Sequence, residues 1–247
     1  MKPDLDRTGA EYMSNLSSPA RSKREAWATR GGTRTYIQEM GRYALHRDEK
    51  IVRRMLGTGP GKLLDVPCGT GRFLNVEKEL GFTVIAADYS PTMLSTALEH
   101  GNVGFLRADV FAPPFAPESF DVILVLRLLF HYADPMSIIR SLAESLKPGG
   151  RIIFDTLNSY STRWAASQVL HRLRPDPARR LHFKRPCDIE RETAAVNLKV
   201  VERESAYLLP TRAYRYLPRL SWPCLETAEA LVPANMRVLT YWHVCKE

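Results

Sequence analysis

Between residues 62 and 155 the hydrophobic positions alternate between two patterns. Short, nearly continuous apolar runs at 62–66, 83–87, 103–107, 120–126 and 151–155 predict strands buried on both faces. The segments between them, 72–80, 91–100 and 135–146, carry apolar residues at helical spacing. Their ends carry the matching punctuation: Ser90 caps a helix with Pro91 at its first position, Gly81 closes the helix before it, and Lys147-Pro148-Gly149-Gly150 ends the third. Upstream, Ile37, Met40, Tyr43, Ala44, Ile51 and Met55 recur at spacings near 3.6 and predict a helix over 33–56, stopped by the glycines of 57–61. Residues 1–32 read as loosely ordered. Beyond 157 the pattern weakens to a helix at 160–173 and strands at 198–209 and 237–245, paired at one edge of the sheet. Apolar strands alternating with helices predict a parallel sheet covered on both faces, a doubly wound α/β fold with right-handed crossovers. No second core is predicted.

In such a sheet, ligands bind at the carboxyl ends of the strands where the strand order reverses. Three predicted strands end in an acid: Asp65, Asp88 and Asp109. The first runs into Asp65-Val66-Pro67-Cys68-Gly69-Thr70-Gly71-Arg72, where Gly69 and Gly71 permit a sharp turn and close approach of a ligand. The helix that follows points free N–H groups at the same place. A nicotinamide loop would continue G-x-G-x-x-G/A, but the sixth position is Leu74, and Asp65 would repel a pyrophosphate; the same carboxylate suits an ammonium group. Asp88 is placed to accept both hydroxyls of a ribose, or else is a turn residue ahead of the Ser90 cap. Asp109 is placed to accept from an adenine amino group, or else caps its loop.

The segments LLDVPCGTGRF, VIAADYSPTML, LRADV, SFDVILV and LKPGGRIIF, in this order and spacing, resemble the motifs of class I S-adenosylmethionine-dependent methyltransferases over about residues 50–157. The resemblance implies their seven-stranded, mostly parallel Rossmann-like sheet with an N-terminal helical lid and C-terminal cap elements. It implies one domain divided into an extension and lid helix (1–56), a cofactor-binding core (57–157), a helical substrate cap (158–200) and terminal strands (201–247). It implies S-adenosyl-L-methionine as cofactor. Asp65, Pro67, Cys68, Gly69 and Gly71 would hold its methionine part, Asp88 its ribose, and Met93, Asp109 and Val110 its adenine, with Tyr89 and Arg127 also among the cofactor-binding residues. Pro67 departs from the more frequent Gly or Ala ahead of Cys68, and Cys68 reads as a small buried loop residue rather than a nucleophile.

His131 matches the family's histidine beside the transferable methyl group. It is the candidate general base, or a residue whose ring shapes the pocket wall. Arg127 stands where relatives often carry an acid, which implies an anionic substrate group or a salt bridge. Tyr36, Tyr43, Arg127, Tyr132 and Trp164 are the substrate candidates; Arg42 joins Tyr36 and Tyr43 as a candidate for the methionine carboxylate. No metal-binding set of carboxylates and no NPPY-like tetrapeptide follows the fourth strand. The implied reaction is methyl transfer to a small-molecule or lipid-like acceptor, at oxygen or carbon rather than nitrogen. The alternatives are N-methylation of a small metabolite, RNA methylation, and a non-catalytic cofactor-binding partner protein.

Composition is that of an ordinary globular chain, 45% hydrophobic and 25% charged, but the net charge of +8 asks for an anionic partner. The excess is peripheral. Residues 51–157 carry net −1, residues 1–50 net +3 and residues 158–247 net +6. The densest cluster runs over 163–185, from Arg163 through Arg172, Arg174, Arg179 and Arg180 to Lys184 and Arg185. It reads as a solvated face, or as a surface for RNA phosphates or for lipid headgroups in peripheral membrane contact. Four cysteines without CxxC spacing imply neither zinc nor a disulfide framework, and a cytoplasmic setting is expected.

Overall fold

A computed structural model describes residues 41–173 and 180–247. The predicted extension and the start of the predicted lid helix, Tyr36 included, lie outside the described residues, as do Arg174 and Arg179 of the basic cluster. The elements run α1 (Arg42–Leu56), β1 (Lys62–Asp65), α2 (Leu74–Glu79), β2 (Thr83–Asp88), α3 (Pro91–Ala97), β3 (Gly104–Arg107), β4 (Phe120–Val125), α4 (Pro135–Glu144) and β5 (Leu146–Asn158). They continue with α5 (Thr162–Leu173), β6 (Phe183–Lys184), α6 (Pro186–Ala194), β7 (Leu198–Ala206), α7 (Trp222–Leu231) and β8 (Leu239–Lys246). The main strand order is β3-β2-β1-β4-β5-β8-β7, with the two-residue β6 paired to the far end of β5. Strands β1 to β5 are parallel to their neighbours, and β8 runs antiparallel between β5 and β7. The order reverses between β1 and β4, which places a topological switch point there.

Each predicted core strand is present, and the apolar runs explain it. In β4, Val122 to Val125 are fully buried and alternate between two cores, one on each face of the sheet. Ser90 caps α3 by accepting from the Met93 amide, and Asp134 caps α4 by accepting from the Ser137 amide. The fifth strand is longer than predicted. Lys147–Gly150 ends α4 but already belongs to β5, because Leu146 pairs with Phe120 ahead of an irregularity in the register. The predicted terminal strands do pair with each other, β8 lying inside β7 at the sheet edge. The pattern did not reveal α6 or α7: α6 is short and buries only Ile189 and Thr193, and α7 only Glu229. Among the described residues no helix is long and apolar enough to cross a membrane.

Candidate active site

At the carboxyl ends of β1 to β4 the chain encloses a cavity of about 290 Å3. Its first wall is the loop after β1. The Cys68 amide donates to the Ala87 carbonyl at 2.9 Å, tying the loop to β2, and the Val66–Pro67 peptide is cis. Gly69 and Gly71 both hold positive φ, 58° and 82°. A Cβ on Gly69 would meet nothing within 4 Å, so its bare backbone faces open cavity. A Cβ on Gly71 would fall 2.6 Å from the His100 ring and 2.8 Å from Leu74. Gly71 therefore makes the turn and does not line the cavity.

Asp88 organises the second wall. One carboxylate oxygen accepts from the Gly69 amide at 2.9 Å and the other from the Ser90 amide at 2.8 Å. The residue thus serves its turn and faces the cavity at once. Burial raises its carboxyl, and the amides of Ser90 and Gly69 oppose the rise. Tyr89, Met93, Asp109 and Val110 complete this side. Asp109 also accepts from the Phe111 amide at 3.1 Å, so it caps its loop while facing the cavity. Asp65, 3% exposed, is pushed well above the usual carboxylate range by burial, with Arg72 opposing and Asp88 adding. Burial, then Asp65 and Asp88, also push the Cys68 thiol up, which leaves it a protonated wall residue rather than a nucleophile.

Behind Asp65, on α2, Glu77 is fully buried, and among the described residues neither carboxylate oxygen has a hydrogen-bond partner. Burial, then Asp65, raise its carboxyl well above the ordinary value. An acid raised in the folded state keeps its proton over a pH range in which the unfolded chain has already lost it. The stability it allows is therefore complete below the unfolded value and declines as pH rises through the folded one. Replacing Glu77 by Gln is expected to leave the melting temperature unchanged near pH 4. Above that it adds stability, by up to about 1.4 kcal/mol per pH unit. Calorimetric melts from pH 4 to pH 8 check this; a difference independent of pH would contradict it.

The third wall comes from the end of β4 and the elements after β5 and β7. Leu126, Arg127, Leu128, Phe130, His131 and Tyr132 line it, with Arg163, Leu181, Thr211 and Arg212. His131 ends a 3-10 turn, Leu129–His131. The Tyr132 ring meets Phe111 edge-on at 4.8 Å. Arg127 adopts φ 61°, with its amide donating to Asp155 at 2.8 Å. Its guanidinium meets Asp48 at 2.6 Å, the Tyr241 hydroxyl at 3.0 Å and Asp155 at 3.4 Å. The charge of Arg127 is thus matched internally by Asp48 and Asp155.

Asp48 was not singled out by the sequence reasoning. It is fully buried and accepts from Arg72 and Arg127, each at 2.6 Å, and from the hydroxyls of Tyr207 and Tyr241. Burial opposes its ionisation, but Arg127, Arg72 and the two tyrosines outweigh burial and hold the carboxyl at about 2. A signal existed: Asp48 shares the buried face of α1 with Ala44, Ile51, Val52 and Met55. The described part of the predicted lid is accordingly a core helix, and no α1 residue lines the cavity.

Three predicted roles are corrected. Tyr43 is fully buried, stacks on Tyr214 at 5.0 Å and donates to Glu229 at 3.2 Å, so it is a packing residue. Arg42 is exposed at the start of α1, away from the cavity. Trp164 lies in a separate shallow depression with Tyr160, Phe183 and Arg185. The basic cluster also divides. Arg163 turns into the cavity, whereas Lys184 pairs with Glu192 at 3.1 Å and Arg185 with Asp188 at 2.7 Å.

A doubly wound sheet with an antiparallel strand inserted near one edge, a glycine loop after β1 and acids ending β1 and β2 defines a class: the S-adenosylmethionine-dependent methyltransferases of class I. The chain belongs to that family, and it is an enzyme with S-adenosylmethionine as cofactor. Residues 64–154 match the family model described as Methyltransferase domain. The ubiquinone biosynthesis O-methyltransferase of Idiomarina loihiensis is 30% identical over 164 residues, covering 62% of this chain and 68% of that protein. The protein of the same description from Pseudomonas fluorescens is 36% identical over 118 residues, 45% of this chain and 48% of its own. The chain thus spans about half the length of that second relative. The crystal structure of magnesium protoporphyrin IX methyltransferase from Synechocystis PCC 6803, with bound S-adenosylhomocysteine, superposes with a TM-score of 0.65 at 14% identity. The match covers 91% of this chain and 98% of that one, and it shows the shared fold.

Proposed function

We propose that this enzyme methylates a hydroxyl oxygen of a small, largely apolar acceptor, and that His131 takes the hydroxyl proton. One observation carries the reading. A single cavity joins the acid and glycine ends of β1, β2 and β3 to His131 and to an apolar wall of Leu126, Leu128, Phe130 and Leu181. The residues fit the cofactor: an ammonium group beside Asp65 would offset the burial that disfavours its carboxylate, and the open face of Gly69 leaves room for backbone approach. In this reading Asp65, Pro67, Cys68 and Gly69 hold the methionine part. Asp88 and Tyr89 hold the ribose, and Met93, Asp109 and Val110 hold the adenine. S-adenosylmethionine supplies an already activated methyl group, so the chain's own contribution is alignment and proton removal. Oxygen is preferred over carbon or nitrogen because the relatives named above are described as O-methyltransferases. A lipid-like acceptor is supported by α5, which buries no residue and exposes Val169, Leu170 and Leu173 just beyond the turn that carries Arg163.

Replacing His131 by Ala is expected to lower kcat on a panel of phenols by about 100-fold or more. The affinity for S-adenosylhomocysteine is expected to stay within about twofold, because the residue stands on the acceptor side of the cavity. Full activity in the variant would reduce His131 to a wall residue.

A further inference from the structure

We infer that the acceptor, or the part of it next to the reacting group, is anionic, and that Arg163 forms its carboxylate- or phosphate-binding subsite. The inference rests on the methyltransferase reading above and concerns the half of the cavity that the cofactor residues leave over. Among the described residues, the guanidinium groups of Arg72, Arg127, Arg163 and Arg212 border the cavity. Arg72 and Arg127 share the buried Asp48, and Arg127 also faces Asp155. Arg163 differs. It is half-buried at the first turn of α5, and among the described residues its side chain forms no ion pair or hydrogen bond. Burial, with Arg127 and Arg212 as neighbouring cations, lowers its guanidinium to about 10. A like-charge group in a partly desolvated site is unfavourable unless an anion joins it.

The sheet order separates this cation from the cofactor's acids. Asp65 and Asp88 end β1 and β2, and Asp109 follows β3, all on one side of the switch point. Arg163 and Arg212 follow β5 and β7 on the other side, the side of His131. Phe130 and Leu181 line the same cavity, so the complementary ligand has an apolar body and an anionic group. Arginine's planar fork suits either a carboxylate or a phosphate.

The test is a calorimetric titration of the enzyme saturated with S-adenosylhomocysteine, using 4-hydroxybenzoate, phenyl phosphate and the neutral isostere 4-hydroxybenzamide as probes. At least one anionic probe is expected to bind about tenfold more tightly than the amide. The better anion distinguishes carboxylate from phosphate recognition. In Arg163→Gln the preference is expected to vanish, and in Arg163→Glu to reverse, with the affinity for S-adenosylhomocysteine unchanged in both. Equal binding of charged and neutral probes, binding of none of them, or a preference that survives in Arg163→Gln would overturn the inference. Failure of S-adenosylhomocysteine itself to bind would instead overturn the cofactor assignment.

Discussion

Replacing Asp48 by Ala is expected to cost about 3–5 kcal/mol of stability, the range for removing one partner of a buried ion pair. For a chain of this size that corresponds to a fall of about 10 °C in melting temperature. The cost is large because the carboxylate, with no exposed surface, compensates two guanidinium groups and two tyrosine hydroxyls. Those groups come from the loop after β1, the end of β4, the end of β7 and from β8, so their release loosens the cavity floor from several sides at once. An exposed pair sets the contrast. Asp121 meets Lys147 at 2.8 Å with both side chains about two-fifths exposed, and Asp121→Ala is expected to cost less than about 1 kcal/mol. The pH dependence carries its own sign. A carboxyl lowered to about 2 in the folded state contributes stability above its unfolded value and loses it as pH falls through the folded one. Asp48→Ala is therefore expected to flatten the acid side of the stability curve between about pH 4 and pH 2. Chemical denaturation at both pH values checks this, and a loss under about 1 kcal/mol at pH 7 would contradict it.

Asp88→Ala is expected to weaken S-adenosylhomocysteine binding by about 100-fold. The carboxylate is assigned the ribose hydroxyls, and it also holds the Gly69 and Ser90 amides, so its loss removes a ligand contact and relaxes the glycine loop together. Isothermal titration measures the ratio directly. A dissociation constant within about threefold of the unaltered enzyme would show that the ribose is held elsewhere.

How much of this was legible in the sequence follows from the kind of interaction involved. Strands β1 to β5 were legible because burial on both faces leaves a continuous apolar run, visible without any partner. The strand-end acids were legible because a doubly wound sheet fixes where its ligands bind. The Asp48 cluster was not, because residues 48, 72, 127, 207 and 241 meet only in the folded sheet. Its one local trace is an acid on the apolar face of α1. Tyr43 and Trp164 misled for a related reason. An aromatic residue near the right helix has no sequence mark that distinguishes packing on Tyr214 from facing a ligand. In the sequence Arg163 is one of a run of like charges. Its separate role follows only from the turn of α5 into the cavity while Lys184 and Arg185 find acids of their own.

Methyl transfer to a small acceptor in the cavity between Asp88 and His131 can be followed by label. The most direct measurement incubates the enzyme with methyl-labelled S-adenosylmethionine and with separate small-molecule, lipid and RNA fractions of a cell extract. Label is expected in the small-molecule or lipid fraction, with little transferred by the His131→Ala enzyme. Label confined to RNA, or no transfer by an enzyme that binds the cofactor, would contradict it.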